Sequence, residues 1–168
     1  ESYASIIADA ILNQADIDSA TELINSLDIA YTTEIKKLAK PIINFVKKEQ
    51  LALDKENYEQ LIALYNLYPT VWNNQYSDIT KNELTVDSIK QTRDFYLFTT
   101  YYATNYYGIA QALDIDCLIK IINLHFPQYR NALLSCLFYA MKETVFSKDG
   151  HMAQPLSLEK NQTRLFLQ

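Results

Sequence analysis

The feature that most restricts the fold of this chain is its shortage of residues that favour turns. Glycine occurs only at Gly108 and Gly150 in 168 residues, and there are 4 prolines. A β-sandwich or barrel needs a turn roughly every 8–12 residues, and glycine and proline build most such turns. A chain of this length suits one domain with a substantial core. We therefore predict an all-α fold, with one helical domain over 1–150 and a tail over 151–168.

Apolar residues recur at helical spacing, most clearly in the first third of the chain. The stripe follows a capping box, Ser19-Ala-Thr-Glu22, whose serine and glutamate side chains bind free amides of the first turn. Beyond Pro41 it continues through Ile42, Phe45 and Val46, where the proline either begins a new helix or kinks an existing one. The members before Pro41, at steps of three and four, are Ala20, Leu23, Ile24, Leu27, Tyr31, Ile35 and Leu38.

Further helices are predicted from caps, prolines and apolar spacing. The helix that Pro127 opens has its core face at Leu133, Leu134, Leu137, Phe138 and Met141. The predicted helices span 2–13, the segment from a cap at Asp54 to a stop at Pro69, 87–107, the segment from a cap at Asp114 to about Phe126, the segment from Pro127 to about Phe146, and a short one at 158–165.

The predicted helix over 87–107 is rich in tyrosine. It is apolar or aromatic nearly all round from Phe95 to Tyr107, which is typical of a central helix packed on every face. Buried tyrosine hydroxyls need hydrogen-bond partners. A structural core with satisfied hydroxyls is the favoured interpretation, and a ligand pocket is the alternative. The candidate pocket residues are Lys90, Arg93, Asp94, Tyr96 and Tyr101.

Charge and hydropathy exclude two classes of partner. The chain has 15 basic and 20 acidic residues, a net charge of −5, and it lacks the basic stripe that nucleic acid requires. No apolar run reaches the ~18–20 residues of a membrane span. The start at Glu1 has no signal-peptide pattern and no methionine, so a processed or truncated start is expected. Two reduced thiols, expected at Cys117 and Cys136, favour a reducing, cytoplasmic-type compartment.

The residues needed for common catalytic sites are sparse. His125 and His151 have no second ligand at a metal spacing, so no metal is expected. Phosphate loops and nucleophile elbows need glycines that this chain lacks. Asp114 and Asp116 could form a carboxylate pair, but both are predicted at a helix start, where an acid complements the helix dipole. Cys117 and Cys136 lie in apolar stretches and are predicted to be reduced core thiols. The sequence therefore favours a binding or scaffolding module over an enzyme.

Three segments, in order, resemble the phycobiliproteins, the globin-type light-harvesting proteins of phycobilisomes. Residues 76–80, Tyr-Ser-Asp-Ile-Thr, match the segment that precedes the family's central helix. Residues 94–103, Asp-Phe-Tyr-Leu-Phe-Thr-Thr-Tyr-Tyr-Ala, are similar to that helix, and 140–145, Ala-Met-Lys-Glu-Thr-Val, are similar to its penultimate helix. The resemblance covers about 6–146 and implies a globin-like bundle with an N-terminal helical hairpin.

The resemblance also has one chemical departure. The family attaches a linear tetrapyrrole to a cysteine in a Cys-x-Arg-Asp pattern on the central helix. With the helices aligned on Asp94, Ile89 takes the place of that cysteine, and Lys90 and Gln91 fall near the charged partners. We therefore expect no covalent bilin, although non-covalent bilin stays open.

The resemblance further implies an assembly surface. In the family the N-terminal hairpin pairs with a related chain, and a stripe left exposed commonly marks an interface. By that comparison the pairing element is expected over about 3–27. Its candidate interface residues are Tyr3, Ile6, Ile7, Ile11, Leu23 and Leu27.

Two functions follow as hypotheses. The first is a non-catalytic phycobiliprotein-like module that acts in phycobilisome or photosystem assembly, regulation or scaffolding. It would pair with a related chain or with itself, contact antenna or photosystem subunits, and lie in the cytoplasm or peripheral to a thylakoid membrane. The alternative is a globin-like sensor without haem that binds a small apolar ligand or free bilin. A fold alone does not decide between them.

Overall fold

The computed structural model describes residues 20–68 and 97–147, and within these ranges it contains helices and no β-strand. The predicted all-α class is confirmed for this part of the chain. None of its helices is long and apolar enough to cross a membrane. The α-helices are α1 (Ala20–Leu38), α2 (Ile43–Asp54), α3 (Tyr58–Leu67), α4 (Leu97–Tyr101), α5 (Ile109–His125) and α6 (Arg130–Thr144).

Helix α5 is the central element of the described bundle. It packs against α1, α2, α4 and α6, and its buried side chains lie on several faces. A helix that is packed by neighbours on most sides is apolar around most of its circumference. Among the described elements, α5 is therefore the central helix rather than the tyrosine-rich segment over 97–107, contrary to the sequence prediction. The buried residues of α5 are Ile109, Ala112, Leu113, Ile115, Asp116, Cys117, Ile121 and Ile122.

The stripe in the first third of the chain forms α1, as predicted. Leu38 at its end is almost fully buried, and Tyr31 and Ile35 pack against the core. Pro41 lies in a short 3-10 helix, Lys40–Ile42, and α2 begins directly after it at Ile43. Of the two alternatives for Pro41, the structure shows that a new helix begins there.

The cap of α3 is Asn57 rather than the predicted Asp54. Asp54 is the last residue of α2. The chain then turns at Glu56, whose φ of 49° lies in the left-handed region. Asn57 Oδ1 accepts a hydrogen bond from the Gln60 amide at 3.0 Å, which satisfies one free donor of the first turn. The sequence prediction missed that Asp54 ends α2 and that a short turn lies between it and α3.

The tyrosine-rich helix ends at Tyr101, so the prediction that it continues to Tyr107 is wrong. Thr104 has a φ of 67°, and its amide donates to the Tyr107 carbonyl at 2.7 Å. Aromatic and β-branched side chains lose rotamer freedom in a helix, and consecutive Thr and Tyr residues therefore sustain one poorly. The segment after Tyr101 becomes a buried reversal that leads into α5.

The predicted cap at Asp114 is also wrong. Helix α5 begins at Ile109, with Gly108 as its N-cap residue, and Gln111 Oε1 accepts from the Gly108 amide at 3.0 Å. Asp114 lies in the second turn of the helix. Its position as the first acid after a glycine resembled a cap, but Gly108 ended the preceding turn earlier than expected.

Helix α6 agrees with its prediction in position and face. Pro127 begins a 3-10 turn, and the α-helix follows from Arg130 to Thr144. All five predicted core residues are buried or half-buried in the described bundle. The two thiols differ: Cys117 is buried, whereas Cys136 is exposed, so the prediction of a second core cysteine is wrong.

Several predictions fall outside the described residues. These are the helix over 2–13 and thus the N-terminal hairpin, the cap at Ser19, the start of the tyrosine-rich helix, and the tail over 151–168.

We expect Asn57→Ala to lower the free energy of unfolding by about 1 kcal/mol, because the first turn of α3 loses its side-chain cap. Chemical denaturation measures the change. Asn57→Ser is the matched control, since a serine oxygen can accept the same bond. Equal losses in the alanine and serine variants would contradict the capping role.

Candidate functional site

A groove of about 500 Å³ lies between α1, α2 and the first turns of α5. We call it the α1–α2–α5 groove. Its volume falls in the range of ~300–1,000 Å³ that is typical of small-molecule sites, and its walls are mainly apolar. The residues that line it are Tyr31, Ile35, Lys36, Ala39, Lys40, Ile43, Val46, Ala110, Leu113 and Asp114.

One polar pair lines the groove between α1 and α5. The Tyr31 hydroxyl donates a hydrogen bond to Asp114 Oδ1 at 2.7 Å. Burial raises the pKa of Tyr31 well above its ordinary value, and the bond to Asp114 raises it further. Burial also raises the pKa of the Asp114 carboxyl, partly offset by the Tyr31 hydrogen bond. The tyrosine is therefore a fixed neutral donor whose hydrogen bond holds Asp114.

Two lysines, Lys36 and Lys40, line the groove from the end of α1 and the 3-10 turn, and both are exposed. Neither forms an ion pair with an acidic residue in the described part of the chain. The nearby Glu34 is already engaged, since it binds Lys120 of α5 at 2.7 Å and Lys37 at 3.0 Å. Those two bonds hold the pKa of Glu34 below its usual value. The Lys36 and Lys40 ammonium groups thus remain available to a ligand.

Glu49 fixes the start of α5, which forms one wall of the groove. Its carboxylate accepts from the Ile109 amide at 2.7 Å, from the Ala110 amide at 2.7 Å and from the Tyr65 hydroxyl at 2.6 Å. Free amides at a helix start need acceptors, and a negative charge there is favourable. Glu49 therefore joins α2, α3 and α5 through one fully buried side chain.

Burial and hydrogen bonding act on Glu49 in opposite directions. Removal from water raises the pKa of the carboxyl, and the bonds from Tyr65, Ala110 and Ile109 lower it. Burial is the larger effect, so the pKa of Glu49 lies above its usual value.

Asp116 plays the corresponding part for α4. Its carboxylate accepts from the Phe98 amide at 2.9 Å, from the Thr99 amide at 2.8 Å and from the Thr99 hydroxyl at 2.6 Å. Burial raises the pKa of Asp116 to about 6, against the lowering effect of these bonds. The tyrosine-rich segment is thereby anchored to the central helix.

The structure assigns different roles to the predicted acid pair Asp114 and Asp116. Sequence reasoning placed both at a helix start to complement its dipole. Instead, Asp116 accepts hydrogen bonds from Phe98 and Thr99 of the neighbouring helix α4, and Asp114 binds Tyr31. Neither acid lies at the start of its own helix, so the prediction is wrong for both.

The predicted ligand residues are not brought into the α1–α2–α5 groove. Lys90, Arg93, Asp94 and Tyr96 lie outside the described residues, and their role stays a prediction. Tyr101 is half-buried at the end of α4 and does not line the groove. Of the buried hydroxyls nearby, those of Thr99 and Tyr107 are bonded, whereas that of Thr100 has no hydrogen-bond partner among the described residues, so the predicted core of satisfied hydroxyls holds only in part.

The predicted interface residues divide in the same way. Tyr3, Ile6, Ile7 and Ile11 lie outside the described residues. Leu23 and Leu27 are half-buried on α1, and Leu27 packs against the core.

Glu49 was missed by sequence reasoning although a signal exists. Buried or half-buried positions from the 3-10 turn through α2 recur as Ile42, Val46, Glu49 and Ala52, at steps of three and four. A single acid in register with an apolar face indicates a buried carboxylate that must be bonded.

Within residues 20–68 and 97–147, no group of three or more histidine, cysteine, aspartate or glutamate side chains could hold a metal ion. Comparison with protein-family models, with curated proteins and with solved structures found no match to this chain. The resemblance to phycobiliproteins therefore stays a prediction from the three sequence segments.

We expect the free energy of unfolding of the wild type, relative to Asp116→Asn, to increase as the pH falls from 7 to 4. The pKa of Asp116 lies at about 6 in the folded protein and near 3.8 when unfolded, so the folded state binds the proton first. This difference between the two pKa values corresponds to a gain of up to about 3 kcal/mol in the free energy of unfolding.

Urea denaturation across this pH range measures the effect. Asp28→Asn, at an exposed position of α1, removes one carboxylate without reaching the core and is the matched control. If the free energy of unfolding of the wild type, relative to that of Asp116→Asn, stays constant or decreases as the pH falls, the pKa of Asp116 is not raised in the folded protein.

Proposed function

We propose that this chain is a non-catalytic binding module that holds a small, mainly apolar molecule in the α1–α2–α5 groove. The observation that carries the proposal is the groove itself: about 500 Å³, walled by aliphatic side chains, with few polar groups. Sites of this composition commonly take small ligands, with the polar groups fixing orientation. The proposal belongs to the sensor class of function that the sequence left open, at a different place on the fold.

The surroundings of the groove support a preformed site. Ala110 and the start of α5 are held by Glu49, and Asp114 is held by Tyr31. Side chains whose partners are already in place lose little freedom when a ligand arrives, so more of the contact energy remains as affinity. The groove offers no pair of unengaged acid and base groups, which supports binding rather than catalysis.

We expect the neutral apolar fluorophore N-phenyl-1-naphthylamine to bind the protein saturably at one site. Ile43→Trp should weaken this binding at least about tenfold, because the indole fills part of the groove. Fluorescence titration measures the dissociation constant.

Leu51→Trp is the matched control for this substitution. Ile43 and Leu51 are both on α2 and are 36% and 49% exposed, but Leu51 does not line the groove. Equal affinities of the two tryptophan variants would show that the probe binds elsewhere, and absence of saturable binding to the wild type would overturn the proposal.

A second candidate function, pairing of two copies of this helical chain, is favoured by one observation on α1. Ile24 belongs to the apolar stripe whose later members Tyr31, Ile35 and Leu38 pack into the core. Ile24 is nevertheless 63% exposed to solvent in the described part of the protein. An apolar position that continues a core-facing stripe is suited to an interface.

If α1 pairs two copies, Ile24→Glu should shift the protein to monomers, because the interface would bury an unpaired charge. Sedimentation velocity over a range of concentrations measures the association. Ile29→Glu is the control, since Ile29 is also exposed, at 69%, but five residues further on and away from the stripe. A wild type that stays monomeric, or equal loss in both variants, would contradict pairing through this stripe.

A further inference from the structure

We infer that the ligand of the α1–α2–α5 groove is an amphipathic anion, an apolar body that carries one carboxylate-like group. The inference rests on the proposed function, because it names the chemical class of molecule that the groove takes. The site is the groove wall together with the two lysines that line it, Lys36 and Lys40.

The charged side chains of the groove differ in whether they already have a bonded partner in the protein. Asp114 already accepts a hydrogen bond from Tyr31 at 2.7 Å, so one of its carboxylate oxygens is engaged within the protein. Lys36 and Lys40 have no acidic partner among the described residues. With two lysines and one aspartate on its lining, the groove presents a net positive charge to a ligand.

This local positive charge contrasts with the rest of the chain. The net charge is −5, so the protein as a whole repels anions. Lys37 and Lys120, on the neighbouring surface, are bound to Glu34. Within the groove an anion is attracted where Lys36 and Lys40 lie beside the apolar wall, and an anion without an apolar body gains little.

The arrangement of apolar and charged side chains on the groove lining also favours an amphipathic anion. Ile35, Ile43, Val46 and Leu113 provide apolar surface, and the lysines stand on the same lining. Lysine stems pack along apolar surface while the ammonium groups stay in water. A ligand with its chain on the aliphatic wall and its carboxylate at the ammonium groups satisfies both parts of the site. The limited volume of about 500 Å³ suits a single free molecule rather than a bilayer surface.

The test is displacement of N-phenyl-1-naphthylamine by three ligands with the same ten-carbon chain, at neutral pH and low salt. They are decanoate, 1-decanol and decyltrimethylammonium, which differ in the charge of the head group. We expect decanoate to bind about tenfold more tightly than 1-decanol, a gain in keeping with two partly exposed ion pairs. The gain should fall as salt is added, because the ion pairs are exposed.

The double variant Lys36→Gln with Lys40→Gln should remove this preference while still binding 1-decanol. Its matched control is Lys47→Gln with Lys48→Gln, which changes the net charge equally at exposed positions of α2 outside the groove. Both lysine pairs are exposed, and circular dichroism verifies that each variant folds. If both double variants lose the preference for decanoate over 1-decanol, the assignment of the anion site to Lys36 and Lys40 is overturned.

The remaining outcomes separate the two proposals. Equal binding of decanoate and 1-decanol to the wild type would overturn the anion inference and leave the groove as a site for neutral molecules. Tighter binding of decyltrimethylammonium would overturn it in favour of Asp114 as the anchor. Binding of anionic phospholipid vesicles with no binding of decanoate would overturn it in favour of a membrane surface. Failure of the fluorophore itself to bind would overturn the proposed function and this inference together.

Discussion

The arrangement of the described helices depends on the buried carboxylate of Glu49. Its two oxygens receive the first amides of α5 and the hydroxyl of Tyr65, which places one side chain at the meeting point of three helices. Without it, two amides and a hydroxyl would lie in the core without these acceptors, at a cost of about 1–3 kcal/mol for each unsatisfied group. The same contact positions Ala110, and thus one wall of the α1–α2–α5 groove.

Helix α5 takes part in two such contacts in opposite roles. At its start it receives the carboxylate of Glu49, and from its middle it provides Asp116 to the amides of Phe98 and Thr99 in α4. Each acid accepts backbone amides inside the protein, where a hydrogen bond is electrostatically stronger than in water. The raised pKa values of both carboxyls show that burial still outweighs these bonds. These interactions fix the orientation of the helices, although removing each carboxylate from water costs part of the free energy that its hydrogen bonds provide.

The sequence predicted the helices whose stability comes from an amphipathic stripe. For α1 and α6 the apolar spacing identified the helix and most of its buried face, because packing of that face dominates their stability. It did not decide whether α1 continued past Pro41, and it included Ile24, which is exposed. Helix ends depended on local side-chain bonds, and there Asn57 and Gly108 replaced the predicted caps at Asp54 and Asp114.

The central helix and the candidate site could not be predicted in the same way. Apolar composition alone favoured the tyrosine-rich segment, but its Thr and Tyr residues turn after Tyr101, and α5 occupies the centre instead. The groove is formed by residues up to 83 positions apart, such as Tyr31 and Asp114. Such a juxtaposition depends on how α1 packs against α5, which spacing along one helix does not specify. Lys36 and Lys40 look like ordinary surface lysines until the groove is known.

The unequal burial of the two cysteines makes the protein a reporter of its own unfolding. Cys136 is exposed on α6, whereas Cys117 lies within α5, where burial raises the pKa of its thiol to about 12. The thiolate is the reactive form, so a maleimide reagent reaches Cys136 in the folded protein and Cys117 only when the central helix separates from its neighbours. Counting labelled thiols over time therefore measures how often the core opens, without the introduction of any further cysteine.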